Sequence, residues 1–290
     1  MYPNPTEEEH VASTMNSRVR PAARLRWTFI SLWEPIKDYL VYPMVQWCLI
    51  VFITVYSVTI FRILNRMKIR GQKYLHLNQS GDLVASWHES MCDSFAIGAA
   101  IGPSMIWRQN AIPWNFAAAR NFMSRRLVKT IVTMLKTHPV KESESGKRAD
   151  SSALRTAIAL LKHTNVELFP AGTRYRPDQI EDPVAPAGFG LTVLMARRVI
   201  PVAFVGMGGH NGVQPYRKTE YDGPPTVFHI FGPYPDWVMG VRFGKRIVMN
   251  VGEPIDVEEL KQRFAGRPND KQLIADFVMQ RIIELRREIL

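Results

Sequence analysis

The chain has 290 residues, 46% of them apolar, which suits one or two domains with a sizeable core. A formal charge of +11 calls for an anionic partner: nucleic acid, acidic lipid headgroups or a phosphorylated substrate. The chain carries no helix-turn-helix, zinc-finger or ribonucleoprotein signature, which places nucleic acid last, and two cysteines without a CxxC spacing exclude a disulfide framework.

Residues 1–17 are polar and acidic, unlike a signal peptide, and read as a disordered N-terminus. Residues 18–66 read as a membrane-anchoring helical segment. Arg18, Arg20, Arg24 and Arg26 lead into Trp27, Phe29, Ile30, Leu32 and Trp33, spaced as on an amphipathic helix. Tyr39 to Phe61 then runs 23 residues without a charge, enough for a membrane helix. Arg62, Arg66, Lys68 and Arg70 follow. With both flanks basic, charge does not choose an orientation, and the pattern fits a helical hairpin dipped into one leaflet. A single span and a buried core helix are the alternatives. Cys48, in this apolar segment, and Cys92, beside the histidine motif, read as two buried, reduced thiols of a cytoplasmic protein.

Residues 67–290 read as one catalytic domain. A strand at Met67 to Arg70 and another ending at Trp87 precede Ser86-Trp87-His88-Glu89-Ser90-Met91-Cys92-Asp93. An intact helix would set positions i and i+5 about 140° apart. His88 and Asp93 therefore meet only if His88 lies in the turn after a strand and Asp93 in the first turn of the next helix. Paired so, a carboxylate orients an imidazole that can take a proton from a hydroxyl.

Ser94 to Ile101 reads as that helix, Met105 to Trp107 as strand, and Ser124 to about Lys136 as helix. A strand is expected at Pro139-Val140-Lys141, a surface loop at Glu142 to Asp150, and a helix from Ser151 to about His163. Val166 to Phe169 reads as a strand delivering Pro170-Ala171-Gly172-Thr173-Arg174. Gly188 to Arg198 reads as helix and Val199 to Val205 as a buried strand. Gly206-Met207-Gly208-Gly209 lacks the lysine of a phosphate loop and reads as a turn. Thr226 to Phe231 and Arg246 to Val251 alternate like strands. Asp256 with Glu259 forms a capping box, and a last helix starts at Asn269 or Asp270. This alternation indicates an α/β layered domain with a mixed, largely parallel sheet flanked by helices, plus the N-terminal membrane-anchoring segment.

The stretch from His88 to Asp93 allows other uses. Cys92 could act as a nucleophile with His88 as base, although packing is the simpler role. His88, Glu89 and Asp93 could hold a metal, but three neighbouring ligands without a second cluster are a poor set, and no metal is expected. Arg174 can grip a phosphate or carboxylate with its planar fork, Gly172 allows close backbone approach, and Thr173 offers a hydroxyl.

From roughly Met67 to Pro254 the order and spacing resemble the glycerolipid acyltransferases, which acylate glycerol 3-phosphate or lysophosphatidic acid. His88 and Asp93 with Ser90 match the family's His-x4-Asp motif. Phe169, Pro170, Gly172, Thr173 and Arg174 match Phe-Pro-Glu-Gly-Thr-Arg, with Ala171 where the family has glutamate. Val199 to Ala203, around Pro201, fits a weaker apolar-Pro motif. The second motif corresponds to the stretch around Arg120, and Lys141, or alternatively Lys147 and Arg148, takes the place of the family's phosphate-holding basic residue.

The resemblance implies phospholipid biosynthesis at the cell membrane, with the catalytic domain on the cytoplasmic side. It implies direct acyl transfer from acyl-CoA or acyl carrier protein to a lysophospholipid or similar lipid acceptor. His88 would be the base, Asp93 its partner, and residues 171–174, Arg120, Lys141, Arg148 and Pro201 substrate contacts. No cofactor is implied. Ala171 leaves three readings open: an impaired variant of the same enzyme, a glycolipid or lyso-aminolipid acceptor, or a lipid-binding homologue without catalysis.

Overall fold

In the computed structural model, structure is described for residues 41–77, 79–90, 92–102, 104–108, 112–118, 126–140, 152–172, 174, 183–208, 212–213, 237–238 and 241–290. The chain divides into two compact units, Met1–Cys48 and Leu49–Leu290. Of the first, residues 41–48 are described, and they open helix α1 (Tyr42–Ser57). A π-helical stretch, Val58–Leu64, continues α1, so that Tyr42–Leu64 is one helix of 23 residues, long and apolar enough to cross a membrane. Residues 18–40 and the expected amphipathic helix lie outside the described residues.

The second half of this helix has two faces. Ile50, Thr54, Ser57, Ile60 and Phe61 are buried, while Phe52, Val55 and Ile63 are exposed. Asn65 closes it: its side-chain amide donates to Ile60 O at 3.0 Å, and its Oδ1 accepts the Lys245 N–H at 2.9 Å. The two cysteines differ from expectation, since Cys92 is buried but Cys48 is exposed on α1.

The main sheet runs β1 (Lys68–Arg70), β9 (Val248–Val251), β6 (Arg198–Val205), β2 (Asp82–Ser86), β5 (Val166–Leu168), with β10 (Ile255–Asp256) also on β6. The pairs β1–β9, β2–β6 and β2–β5 are parallel, whereas β6–β9 and β6–β10 are antiparallel. A bridge between Trp114 and Val166 extends the order to β3 (Asn115–Ala118), itself parallel to β4 (Thr137–Val140). A short hairpin pairs β7 (Trp237–Val238) with β8 (Val241–Arg242).

Side chains alternate across the sheet with a period of two, and both faces are covered. Leu83, Ala85, Val199 and Ala203 pack with residues of α5 (Ser152–Leu161), α6 (Ala187–Leu194), α7 (Val257–Phe264) and α8 (Asp270–Arg287). Val84, Ile200, Val202, Phe204 and Met249 pack on the other face with Ile60, Phe61 and helix α2 (Asp93–Ile101). This explains why β2 and β6 read as continuous apolar runs. Gly190 lets α6 approach α8 so closely that a Cβ there would collide with the Lys271 carbonyl. At the start of β2, buried Asp82 accepts from Arg197 at 2.6 Å and Arg198 at 2.9 Å.

Three local expectations change. Residues Ser104–Trp107 form a short helix, α3, instead of a strand, and the Ser104 hydroxyl donates to Ile101 O at 2.9 Å. Arg198 belongs to β6 and not to the preceding helix, where its pairing with Asp82 and the bridge to Asp256 hold it extended. Asp256 caps α7 by accepting the Glu258 N–H at 2.7 Å. Helix α4 (Arg126–Met134) follows expectation, and the strand expected at 226–231 lies outside the described residues.

Candidate active site

Parallel β2 and β5 are neighbours, so the segments leaving their C-terminal ends share one edge of the sheet, the usual place for a ligand in α/β folds. Past β2, the Trp87 N–H still donates to Val202 O at 2.8 Å, and then the chain turns away. His88 lies in that turn and Asp93 in the first turn of α2, as the i, i+5 spacing requires.

His88 Nδ1 is 2.9 Å from Asp93 Oδ2. The carboxylate is fully buried and accepts three further bonds: Glu89 N–H at 2.7 Å, Ser90 N–H at 2.9 Å and Ser90 Oγ at 2.6 Å. Donors thus meet both carboxylate oxygens, at the N-terminus of α2. Asp93 therefore accepts from the imidazole Nδ1–H, which leaves the Nε2 lone pair for a substrate proton. Ser90 Oγ also accepts the Cys92 N–H at 3.1 Å, which closes the loop on itself.

The loop after β5 supplies the other wall. Phe169 stacks on His88 with ring centroids 3.9 Å apart and planes 19° from parallel. The Gly172 N–H donates to Phe169 O at 2.9 Å, closing a turn over Pro170 and Ala171, and Gly172 takes φ +68°. No heavy atom lies within 4 Å of where a Gly172 Cβ would be, so its conformation and not crowding calls for glycine. Ser86, Trp87, His88, Pro170, Ala171, Pro183 and Met279 line a narrow cleft. The Arg174 guanidinium is near enough to lower the Cys92 thiol pKa somewhat, but burial and the Asp93 charge push that pKa up to about 12. Cys92 thus stays protonated at neutral pH and is no nucleophile.

His88, Asp93, Ala171 and Gly172 are thus brought to one edge of the sheet. Pro201 is buried within β6, opposite Ala85, with its carbonyl accepting the Gly252 N–H at 2.9 Å, and is not among the cleft's lining residues. Thr173, Arg120, Lys141 and Arg148 lie outside the described residues. Among the described residues no cluster of three metal-ligating side chains occurs.

Two further carboxyl groups lie beside the dyad: Glu167, which was not foreseen, and Glu89, which the sequence offered only as a metal ligand. Glu167 of β5 is buried and accepts from Ser94 Oγ at 2.9 Å. Burial first, and then Asp93, raise its pKa to about 8 against the opposing Ser94 bond. Burial and Asp93 likewise raise Glu89 to about 7, opposed by Arg286 and the Gly208 and Met207 N–H groups. An acidic residue inside an apolar strand was the available signal for Glu167. Nothing local signalled Arg286.

A family model for acyltransferases matches residues 66–205, a span that contains both the His88–Asp93 loop and the Phe169–Arg174 loop. Residues 66–205 thus carry an acyltransferase domain. Among solved structures, this acyltransferase is similar to the 1-acyl-sn-glycerophosphate (LPA) acyltransferase PlsC from Thermotoga maritima. The two are 15% identical, over 89% of this chain and 88% of that one, with a TM-score of 0.52. At that identity the likeness is one of fold: a mixed, mostly parallel sheet flanked by helices. No curated protein matches the chain in sequence.

Proposed function

We propose that this acyltransferase moves a fatty acyl group from an acyl thioester to a hydroxyl of lysophosphatidic acid or a related lysolipid at a membrane surface. The observation that carries this reading is the His88 Nδ1–Asp93 Oδ2 contact of 2.9 Å at the edge of a cleft shared with the Phe169–Gly172 loop. His88 Nε2 takes the proton of the acceptor hydroxyl as its oxygen bonds to the thioester carbonyl carbon. The tetrahedral intermediate collapses, the carbon–sulfur bond breaks, and the imidazolium returns the proton to the leaving thiolate. Asp93 holds the ring in the required tautomer and stabilises its charged form, while backbone N–H groups of the motif loops stabilise the oxyanion. The donor is acyl-CoA or acyl carrier protein.

The membrane contact rests on α1 and its π-helical continuation. A full span takes about 20 apolar residues in lipid, yet Thr54, Ser57, Ile60 and Phe61 are buried in protein. That burial supports an anchor seated in the cytoplasmic leaflet of the cell membrane, with the exposed Phe52, Val55 and Ile63 toward lipid. The reaction would then take place on the same side.

Ala171 supports a second reading. It lines the cleft where the related motif has a glutamate, so an acceptor that needs a carboxylate contact would find none there. A glycolipid sugar or a lyso-aminolipid is then the acceptor of the same transfer.

Thiol release and lipid products should be followed with detergent-purified protein, acyl-CoA and lysophosphatidic acid, with His88→Ala as blank and Ala171→Glu alongside. Turnover by the natural chain that His88→Ala abolishes supports the first reading. Turnover only with a glycolipid or lyso-aminolipid supports the second. Silence of every variant with every acceptor, while lipid stays bound, overturns both.

A further inference from the structure

The turn after β6 is glycine-rich like an anion-binding loop, and what it holds is the protein's own carboxyl group. Glu89 Oε2 accepts the Met207 N–H at 3.1 Å and the Gly208 N–H at 3.3 Å. Its Oε1 lies 3.4 Å from Nε and Nη2 of Arg286, in the last turn of α8. The same guanidinium stands over the Trp87 ring, 4.8 Å from its centroid. Gly208 is pressed so closely on this loop that a Cβ there would collide with the Glu89 carbonyl. The residues on either side of His88 are thus gripped from two elements distant in sequence, and the Glu89 N–H donates to Asp93 at 2.7 Å.

We infer that Glu89, clamped between the turn after β6 and the last turn of α8, is a positioning residue that holds the His88–Asp93 loop in its working geometry. This rests on the reading of His88 as the base. Glu89 is buried, 6% exposed, which keeps its bonds from being exchanged for water. Among the described residues, the charged groups that face it include Asp93 from α2 and Arg286 from α8, with the two N–H groups after β6. A carboxylate matches three cationic or N–H partners at once; an amide keeps the shape and loses the charge.

The test uses the full chain in detergent with Glu89→Gln, Glu89→Ala and Arg286→Met. Carbethoxylation of His88 by diethyl pyrocarbonate, read residue by residue by mass spectrometry across pH, reports its protonation without any substrate. Steady-state kinetics with acyl-CoA and lysophosphatidic acid report the reaction. The expected result for Glu89→Gln and Arg286→Met is a kcat roughly tenfold lower with KM within about twofold, and a His88 midpoint shifted by half a unit or more, the double variant losing less than the product of the two. A shifted midpoint with no turnover by any chain, the natural one included, supports the clamp and counts against acyl transfer. An unshifted midpoint with kcat unchanged in folded Glu89→Gln overturns the clamp and leaves the function standing.

Discussion

The Phe169 ring lies flat on the His88 imidazole, with centroids 3.9 Å apart and planes 19° from parallel. Eighty-one positions separate the two residues. Their contact joins the loop after β2 to the loop after β5, so the imidazole and the turn that forms the facing wall are held as one piece.

Replacing Phe169 should therefore act on catalysis more than on binding. A stacked aromatic pair contributes about 0.5–1.5 kcal/mol beyond simple burial. If that energy holds the ring in place, Phe169→Ala should lower kcat on the order of tenfold with a small change in KM, and Phe169→Leu should fall between. Steady-state kinetics decide it. An unchanged kcat in a folded Phe169→Ala protein would show that Asp93 alone orients the imidazole.

Asp93→Asn tests the other side of the ring. The carboxylate accepts from His88, from two backbone N–H groups and from Ser90 Oγ. An amide has one accepting oxygen, so its NH2 either faces a donor or donates to Nδ1 and leaves the ring proton on Nε2. In a histidine–carboxylate pair of this kind the wrong tautomer lowers turnover on the order of 10⁴-fold. Stability should also fall by about 1–3 kcal/mol as buried donors lose partners. Ser90→Ala removes one of these bonds and should cost about 1 kcal/mol with a several-fold loss of kcat. Equal activities of Asp93→Asn and the natural chain would remove Asp93 from the mechanism.

Glu167 makes a prediction about pH. Burial raises its folded pKa from 4.5 to about 8. Between those values the folded protein keeps a proton that the unfolded chain has released. Stability from this group is therefore full below the unfolded pKa, declines as pH rises, and levels off above the folded pKa. The loss is on the order of a few kcal/mol. Glu167→Gln keeps an oxygen to accept from Ser94 Oγ and cannot ionise. Its melting temperature should match the natural chain near pH 5 and exceed it above pH 8. Parallel melting profiles across that range would refute the buried, protonated carboxyl.

Much of the catalytic edge was readable because its chemistry is local. Between His88 and Asp93 lie four residues, too few for anything but a turn that brings the two side chains together once Ala- and Ile-rich residues start a helix at Asp93. The alternate faces of β2 and β6 follow from a period of two, and the loop Pro170-Ala171-Gly172 carries its own turn chemistry. Where local signals conflicted, the reading failed. Met105 to Trp107 has apolar residues suited to a strand, yet those residues form a helical turn. Arg198 continues a helical pattern in sequence, but a buried carboxylate from another strand takes it into β6.

The sequence by itself determined the layered α/β class, the histidine–aspartate pair, the Pro170-Ala171-Gly172 turn and the apolar helix, because each depends on residues within a turn or two of one another. Only the tertiary structure decided which face of that helix is buried in protein, that Phe169 supports the imidazole, and that Glu89 meets Arg286 across 197 positions. Hydrophobic burial sets these contacts, and it depends on area removed from water and not on order along the chain. The partner of a buried charge is whichever group the fold brings within reach, and here the last turn of the last helix brings Arg286 to Glu89.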